Sequence, residues 1–220
     1  MAPTYVFVGT TRDHRFDGHR GYLFFAFLMK VEEKSAERNR ARARRAAAHA
    51  GHGACAGEQL ALHGLEFLAV DPRAIVSGFF AMRDEIDPAP LLRRLAARGH
   101  PLCLPVMQGK DQPLVFRAWA PGDEMASATW GIAEPLSSRS EYEPDVVLVP
   151  LLAFDAQGYR LGYGGGFYDR SLQRLRKLKP IVAVGIGYDE LKIDEVPHLD
   201  YDQPVDWVLT PSGPLRCSGF

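Results

Sequence analysis

The sequence has no long apolar run, no cysteine framework and no excess of one charge, and each absence removes a class of protein. Its early hydrophobic stretch, Gly21 to Met29, is far shorter than the roughly 20 residues that span a bilayer. Such a run could imitate a signal-peptide core. Asp13 and Asp17 precede it, however, and Lys30-Val31-Glu32-Glu33 follows with no small-residue cleavage site, so a secretory leader is not expected. Cys55, Cys103 and Cys217 form no CxxC pair and no Cys/His ligand spacing, which argues against a disulfide scaffold or zinc module and for a reducing, cytoplasmic setting. With 26 basic against 27 acidic side chains, no global positive field holds the chain on nucleic acid or an anionic membrane. The histidines include no HExxH and there is no GxSxG elbow, which removes those zinc-enzyme and hydrolase readings. A Walker loop ending in GK[ST] and a spaced GxGxxG fingerprint are missing too.

What is present is an ordinary globular composition, 46% hydrophobic and 24% charged over 220 residues. That length suits one α/β domain. Residues 1–29 differ from the rest: a β-like run, Tyr5 to Val8, precedes a charged, Gly-containing stretch and then the apolar run. They are taken as an N-terminal extension ahead of a single domain, 30–220, with Met29 as an alternative start and a genuine extra element as the other possibility.

Lys34 to Ala50 is rich in Ala and Arg without Gly or Pro and predicts a helix, and Glu58 to Val70 predicts a second, ended by Asp71-Pro72. The period then changes. Ala74 to Met82 predicts a strand; Asp87-Pro88 starts a helix that puts Leu91, Leu92 and Leu95 on one face before Gly99. Leu102 to Met107 predicts the next strand, and Leu114 to Ala120 an edge-like one that pairs as a hairpin. Val146 to Phe154, a continuous apolar run, predicts a central strand buried on both faces. A Gly-rich loop, a helix from Phe167 to Lys179, a strand from Ile181 to Tyr188 and another around Trp207 to Thr210 complete the pattern. Strands alternating with helices predict βαβ units and a mostly parallel sheet covered by helices.

The densest chemical signal is Arg160-Leu161-Gly162-Tyr163-Gly164-Gly165-Gly166-Phe167-Tyr168-Asp169-Arg170, between a buried strand and a helix. Four glycines in five positions let backbone N–H groups turn toward an anion, and the helix behind adds its positive end. A tight turn without a ligand would also use glycines. Arg160 favours the anion, Asp169 suits a hard cation such as Mg²⁺, and Tyr168 is a phenol at the loop exit. Lys34, Arg38 and Arg42 recur at i, i+4 and i+8, where they either reach a polyphosphate or form a solvated or RNA-binding basic face. Phe79, Phe80 and Met82 precede Arg83-Asp84-Glu85-Ile86 at a strand end, an aromatic wall beside a carboxylate that suits a flat heterocycle with N–H donors, or a core strand and a solvated turn. Trp130 is a stacking surface or a half-buried structural residue. Asp189 to Asp206 holds seven acidic residues against one lysine, with Asp200 and Asp202 as metal-ligand candidates in what is otherwise a solvated loop.

These residues together resemble the signature of the 5-formyltetrahydrofolate cyclo-ligases, also called methenyltetrahydrofolate synthetases. The likeness runs from Val149-Pro150 through Phe154-Asp155 and Gly158 into the glycine string. It also takes in Lys34-x-x-x-Arg38, Met82 to Ile86, Thr129-Trp130-Gly131-Ile132 and Val205-Asp206, in order, over about Lys30 to Pro211. The resemblance implies ATP- and Mg²⁺-dependent closure of 5-formyltetrahydrofolate to 5,10-methenyltetrahydrofolate with release of ADP and phosphate. It implies that Lys34, Arg38, Arg160, Leu161, Gly162, Tyr163, Gly164, Gly165, Gly166, Phe167 and Tyr168 grip ATP, with Arg160 and Tyr168 catalytic. Asp169 and Asp200 would take Mg²⁺, Phe80 and Glu85 the pterin, and Trp130 and Tyr168 the formyl end. It further implies a three-layer α/β sandwich with a mostly parallel sheet, similar to the ribose-5-phosphate isomerase and CoA-transferase group, acting as a monomer without nucleic acid or membrane. The chain differs from the pattern at Leu191, where the family often has Gln, and around Leu199 and Tyr201-Asp202. Two other readings stand beside it: a same-fold ATP-dependent enzyme for another formyl or amide substrate, and a non-catalytic nucleotide- or RNA-binding protein.

Overall fold

The computed structural model describes residues 18–127 and 133–219, with side chains from residue 28 onward. The Tyr5 to Val8 run and Trp130 lie outside the described residues. In chain order the elements are α1 (Gly18–His63), β1 (Val76–Ser77), α2 (Ala89–Ala97), β2 (Leu102–Val106), β3 (Val115–Trp119), β4 (Met125–Ser127), β5 (Ala133–Pro135), β6 (Glu141–Tyr142), β7 (Val146–Pro150), β8 (Ala153–Phe154), β9 (Arg160–Leu161), α3 (Phe167–Leu178), β10 (Val182–Ile186), β11 (Trp207–Thr210) and β12 (Gly213–Arg216).

The two helices predicted over Lys34 to Ala50 and Glu58 to Val70 are one. α1 runs through Gly51, Gly53 and Gly57 and stops at Gly64, whose φ of 62° is left-handed and whose N–H bonds the Leu60 carbonyl at 3.0 Å. Each interior glycine costs about 1 kcal/mol relative to alanine. Burial of Ala48, Ala56, Leu60 and Ala61 against the core outweighs that cost, because tertiary packing supplies most helix stability. Gly57 sits where α1 crosses the loop before α2: a Cβ there would press on the Asp87 carbonyl at 2.5 Å. The boundary between residues 29 and 30 falls inside α1, and Leu28, Met29 and Val31 are exposed on it.

Among the described residues, eight strands form the main sheet in the order β12-β11-β10-β7-β1-β2-β3-β6. The five from β11 to β2 are parallel, and β12, β3 and β6 join antiparallel to their neighbours. β7 is central and buried on both faces, as its continuous apolar run predicts. β3 pairs with β2 as predicted but is not the edge, because β6 lies outside it. The β1–α2–β2 and β7–α3–β10 connections step in opposite directions along the sheet. Right-handed crossovers therefore place α2 and α3 on opposite faces. α1 packs beside α2, which completes three layers.

The predicted strand Ala74 to Met82 shrinks to β1. After Gly78, whose N–H bonds the Cys103 carbonyl, the chain leaves the sheet and turns at Arg83, a non-glycine residue at φ 57°. The predicted Val146 to Phe154 strand also divides. Beyond Pro150 the chain enters a β8–β9 hairpin, closed by Asp155 Oδ1 accepting the N–H groups of Gln157 and Tyr159, both at 3.0 Å, and by Gly158 at φ 92°. Both departures occur at the C-terminal ends of β1 and β7. These are the neighbours between which the crossover direction reverses, the place where α/β sheets of this kind bind ligands in the crevice between diverging loops.

Candidate active site

The crevice is roofed by α1. Lys34, Arg38, Ala41 and Arg45 form one stripe; Ala41 is fully buried in a cluster with Leu152, Ala153, Leu161 and Val196. A small residue there lets the helix approach the hairpin, which brings the cations over the glycine loop. Arg42, predicted on this face, is exposed and bonds Asn39 instead. At 3.6 residues per turn, a step of eight drifts roughly 80° around the helix, whereas a step of eleven returns to within about 20°. Arg45, which the i+4 pattern misses, therefore completes the row.

The glycine loop meets these cations. Arg38 Nε donates to the Gly162 carbonyl at 3.0 Å, and its guanidinium lies 3.5 Å from where a Cβ on Gly164 would stand. Gly164 and Gly166 hold φ of 101° and 65°, left-handed values that suit glycine. Gly166 caps α3 with no side-chain hydrogen bond, so the first N–H groups of that helix have no capping oxygen. Arg160 is buried on β9; it donates to Asp169 Oδ1 at 3.1 Å and to the Gln203 carbonyl, while the Gln203 N–H bonds the same Oδ1 at 3.0 Å. Asp169 Oδ2 accepts no hydrogen bond among the described residues. Lys34 Nζ pairs with Asp202 Oδ2 at 2.5 Å, and the Leu199 N–H bonds that oxygen at 2.7 Å.

A second group adjoins the first. Glu85 is buried and accepts the Met82 N–H at 2.9 Å. Arg45 reaches Asp84 Oδ1 at 2.5 Å and Glu85 Oε1 at 3.5 Å, and its guanidinium lies 5.4 Å from the Tyr163 ring centre. Tyr163 also lies within electrostatic reach of Glu85. Tyr168 is half-buried within electrostatic reach of Glu85 and Arg160. Phe80 is half-buried and meets Trp119 edge to face at 5.7 Å.

Charge states follow from these surroundings. Burial pushes the Glu85 carboxyl above the ordinary range, against the Met82 N–H, Tyr163 and Arg45, which hold it down. Burial opposes ionisation of Asp84 as well, but its hydrogen bond from Arg45 prevails and holds it below the usual value. Burial and Glu85 raise both Tyr163 and Tyr168, so each remains a protonated donor at neutral pH.

Thus Lys34, Arg38, Arg160 to Asp169 and Glu85 come to one end of the sheet, at the crevice between β1 and β7, whereas the ring contact of Phe80 among the described residues is with Trp119 on β3. Asp200 is exposed on the turn before Asp202 and has no hydrogen bond among the described residues. Among the described residues no three His, Cys, Asp or Glu side chains converge on a metal position. Mg²⁺ needs no such cage, since it is commonly held by one or two carboxylates and substrate phosphates, and the open Asp169 oxygen fits that demand. Leu191 is fully buried in the core, so it packs rather than facing the crevice.

The model of the 5-formyltetrahydrofolate cyclo-ligase family matches residues 30–211. The 5-formyltetrahydrofolate cyclo-ligase of Escherichia coli K12 is 34% identical over 161 residues, covering 71% of this chain and 88% of that protein. That of Mycolicibacterium smegmatis is 36% identical over 164 residues, covering 70% and 82%. The NMR structure of Aquifex aeolicus 5,10-methenyltetrahydrofolate synthetase superposes with a TM-score of 0.67 at 25% identity, covering 84% of this chain and 93% of that one. With its glycine loop, α1 cations and Glu85 segment gathered at the switch point of such a sheet, this chain belongs to the 5-formyltetrahydrofolate cyclo-ligase family.

Proposed function

We propose that this protein closes 5-formyltetrahydrofolate to 5,10-methenyltetrahydrofolate at the expense of ATP, with Mg²⁺ on the nucleotide. The observation behind this is continuity: Gly162, whose carbonyl receives Arg38, is followed directly by Tyr163, whose ring lies under Arg45, the guanidinium that reaches Glu85. The anion loop and the buried carboxylate are thereby linked through the adjacent residues Gly162 and Tyr163. That arrangement suits a polyphosphate and a flat heterocycle held side by side.

A formyl oxygen on nitrogen is a poor leaving group, so it must be activated. The formyl oxygen attacks the γ-phosphorus of ATP, the bond to ADP breaks, and the phosphorylated carbon becomes electrophilic. Nitrogen 10 then attacks that carbon and gives up its proton, and phosphate departs with the C–O electron pair. Positioning and charge neutralisation carry most of such a transfer. Lys34, Arg38, the loop N–H groups and the uncapped end of α3 would hold the triphosphate. Arg160 would neutralise the transferred group, and the protonated Tyr168 would donate to the formyl end, to which the family resemblance also assigns Trp130. Glu85 would accept pterin N–H donors against Phe80. Asp169 would contribute Oδ2 to Mg²⁺, with Asp200 the second carboxylate of this reading; the ion supplies charge neutralisation on the phosphates.

Residues 30–220 are read as the cyclo-ligase-like domain and 1–29 as an N-terminal extension, in a cytoplasmic monomer that needs neither nucleic acid nor membrane. Balanced charge speaks against a nucleic-acid role, and no described helix is long and apolar enough to cross a membrane. The test is to mix purified protein with 5-formyltetrahydrofolate and Mg-ATP and follow the near-ultraviolet band of the conjugated methenyl product. An ATP-dependent rise is expected; a flat trace from folded, ATP-binding protein would overturn the substrate assignment and favour another formyl or amide compound.

A further inference from the structure

Arg45 of α1 is 3% exposed, yet it bears a permanent charge and faces two adjacent carboxylates. One nitrogen, Nη2, meets Asp84 and the other, Nη1, meets Glu85, while Cζ lies over the Tyr163 ring, 5.4 Å from its centre. Its third nitrogen, Nε, is buried and has no hydrogen-bond partner among the described residues. We infer that Arg45 is a positioning residue: one guanidinium pairs with the Glu85 carboxylate and lies over the Tyr163 ring, and so sets the pterin side of the crevice in register with the glycine loop. This rests on the folate reading above for the identity of the ligand, but not for the contact itself.

Only a planar fork can do this. Lysine presents a point charge without the fork that meets two carboxylates at once. Without a cation here, Asp84 and Glu85 would stand side by side in a poorly hydrated place, and one would take a proton. The groups facing Glu85 are Arg45 from α1, Asp84 on its own segment, Tyr163 from the glycine loop and Tyr168 from α3. His49 and Tyr188 face Asp84, and Arg160 faces Tyr168. Arg45 is the cation among those directly around Glu85. Because burial already raises this carboxyl, removing Arg45 raises it further, and the ionised form is lost at a higher pH on acidification.

The experiment is to follow Glu85 by ¹³C carboxyl NMR in ligand-free protein, assigned with Glu85→Gln, in wild type, Arg45→Lys and Arg45→Met. Calorimetry with 5-formyltetrahydrofolate and with ATP, each alone, accompanies it. In Arg45→Met the Glu85 midpoint should rise by about one pH unit or more, with Arg45→Lys in between. Folate affinity should fall about tenfold and ATP affinity less than about threefold, the scale of losing one charge-assisted contact. An unmoved midpoint, or equal loss of both ligands, would overturn the inference. Should Arg45→Met fail to fold, Tyr163→Phe keeps the ring and removes the phenol; a smaller rise of the same midpoint supports the unit, and none refutes it. A midpoint that moves in protein that never binds the folate would leave Arg45 as the positioning group and reject the folate reading alone.

Discussion

Lys34 Nζ lies 2.5 Å from Asp202 Oδ2, a pair formed across 168 residues of chain, so the first cation of the α1 stripe is held by a tail carboxylate. If Lys34 grips a phosphate, it must exchange one anion for another. Lys34→Ala should weaken ATP binding about tenfold or more, while folate binding is almost unchanged. Asp202→Asn should act in the opposite direction and tighten Mg-free ATP roughly three- to tenfold, by removing a competing charge. Calorimetry on the two variants decides this; weaker ATP binding in Asp202→Asn would reject the exchange.

Glu85 makes a different demand. Glu85→Gln keeps the shape but loses the charge that pterin N–H donors would meet in a buried place. The KM for 5-formyltetrahydrofolate should rise about tenfold or more, with that for ATP changing little. Equal effects on both constants would show that the carboxylate acts elsewhere.

Two glycines separate stability from binding. At Gly158 a Cβ would collide with the Val205 carbonyl and touch Cys217, at a φ of 92°. Gly158→Ala should cost about 2–4 kcal/mol of stability, read from the denaturant midpoint. At Gly164, also left-handed, the nearest atoms are those of the Arg38 guanidinium, at 3.5 to 3.7 Å. Gly164→Ala should cost only about 1 kcal/mol and should lower ATP affinity instead. A large stability loss at both positions would show that the loop is a structural turn alone.

The thiols test the absence of cysteine chemistry. Burial pushes Cys103 and Cys217 up to about 12, whereas Cys55 is exposed on α1. A disulfide reagent at pH 8 should therefore titrate Cys55 promptly and the other two only on unfolding. Prompt reaction of more than one thiol would place Cys103 or Cys217 in a more open setting than their burial describes.

Local chemistry was legible where it depends on near neighbours in the chain. The apolar run of β7, the helix α2 after Asp87-Pro88 and before Gly99, and the glycine loop between a strand and α3 all follow from sequence spacing, since turns, caps and burial patterns are set within a few residues. Lys34, Arg38, Arg160 and Glu85 stood out for the same reason. Other features depended on partners distant in sequence. Continuity of α1 through three glycines required a core for Ala56 and Leu60 to enter. β1 was cut to two residues because the chain must rise over the crevice, and Val146 to Phe154 divided because the hairpin from Ala153 to Leu161 turns on Asp155 and Gly158. Arg45 differs from its exposed neighbour Arg42 only through the drift of a 3.6-residue helix against a fixed surface. Its partners Asp84 and Glu85 lie 39 and 40 residues away, and Lys34 meets Asp202 over a greater distance still. Residue type and spacing determined which groups could carry the chemistry; the reversal of crossover direction between β7 and β1 decided which of them meet, because only folding brings such separated segments within the few ångströms where ion pairs and hydrogen bonds act.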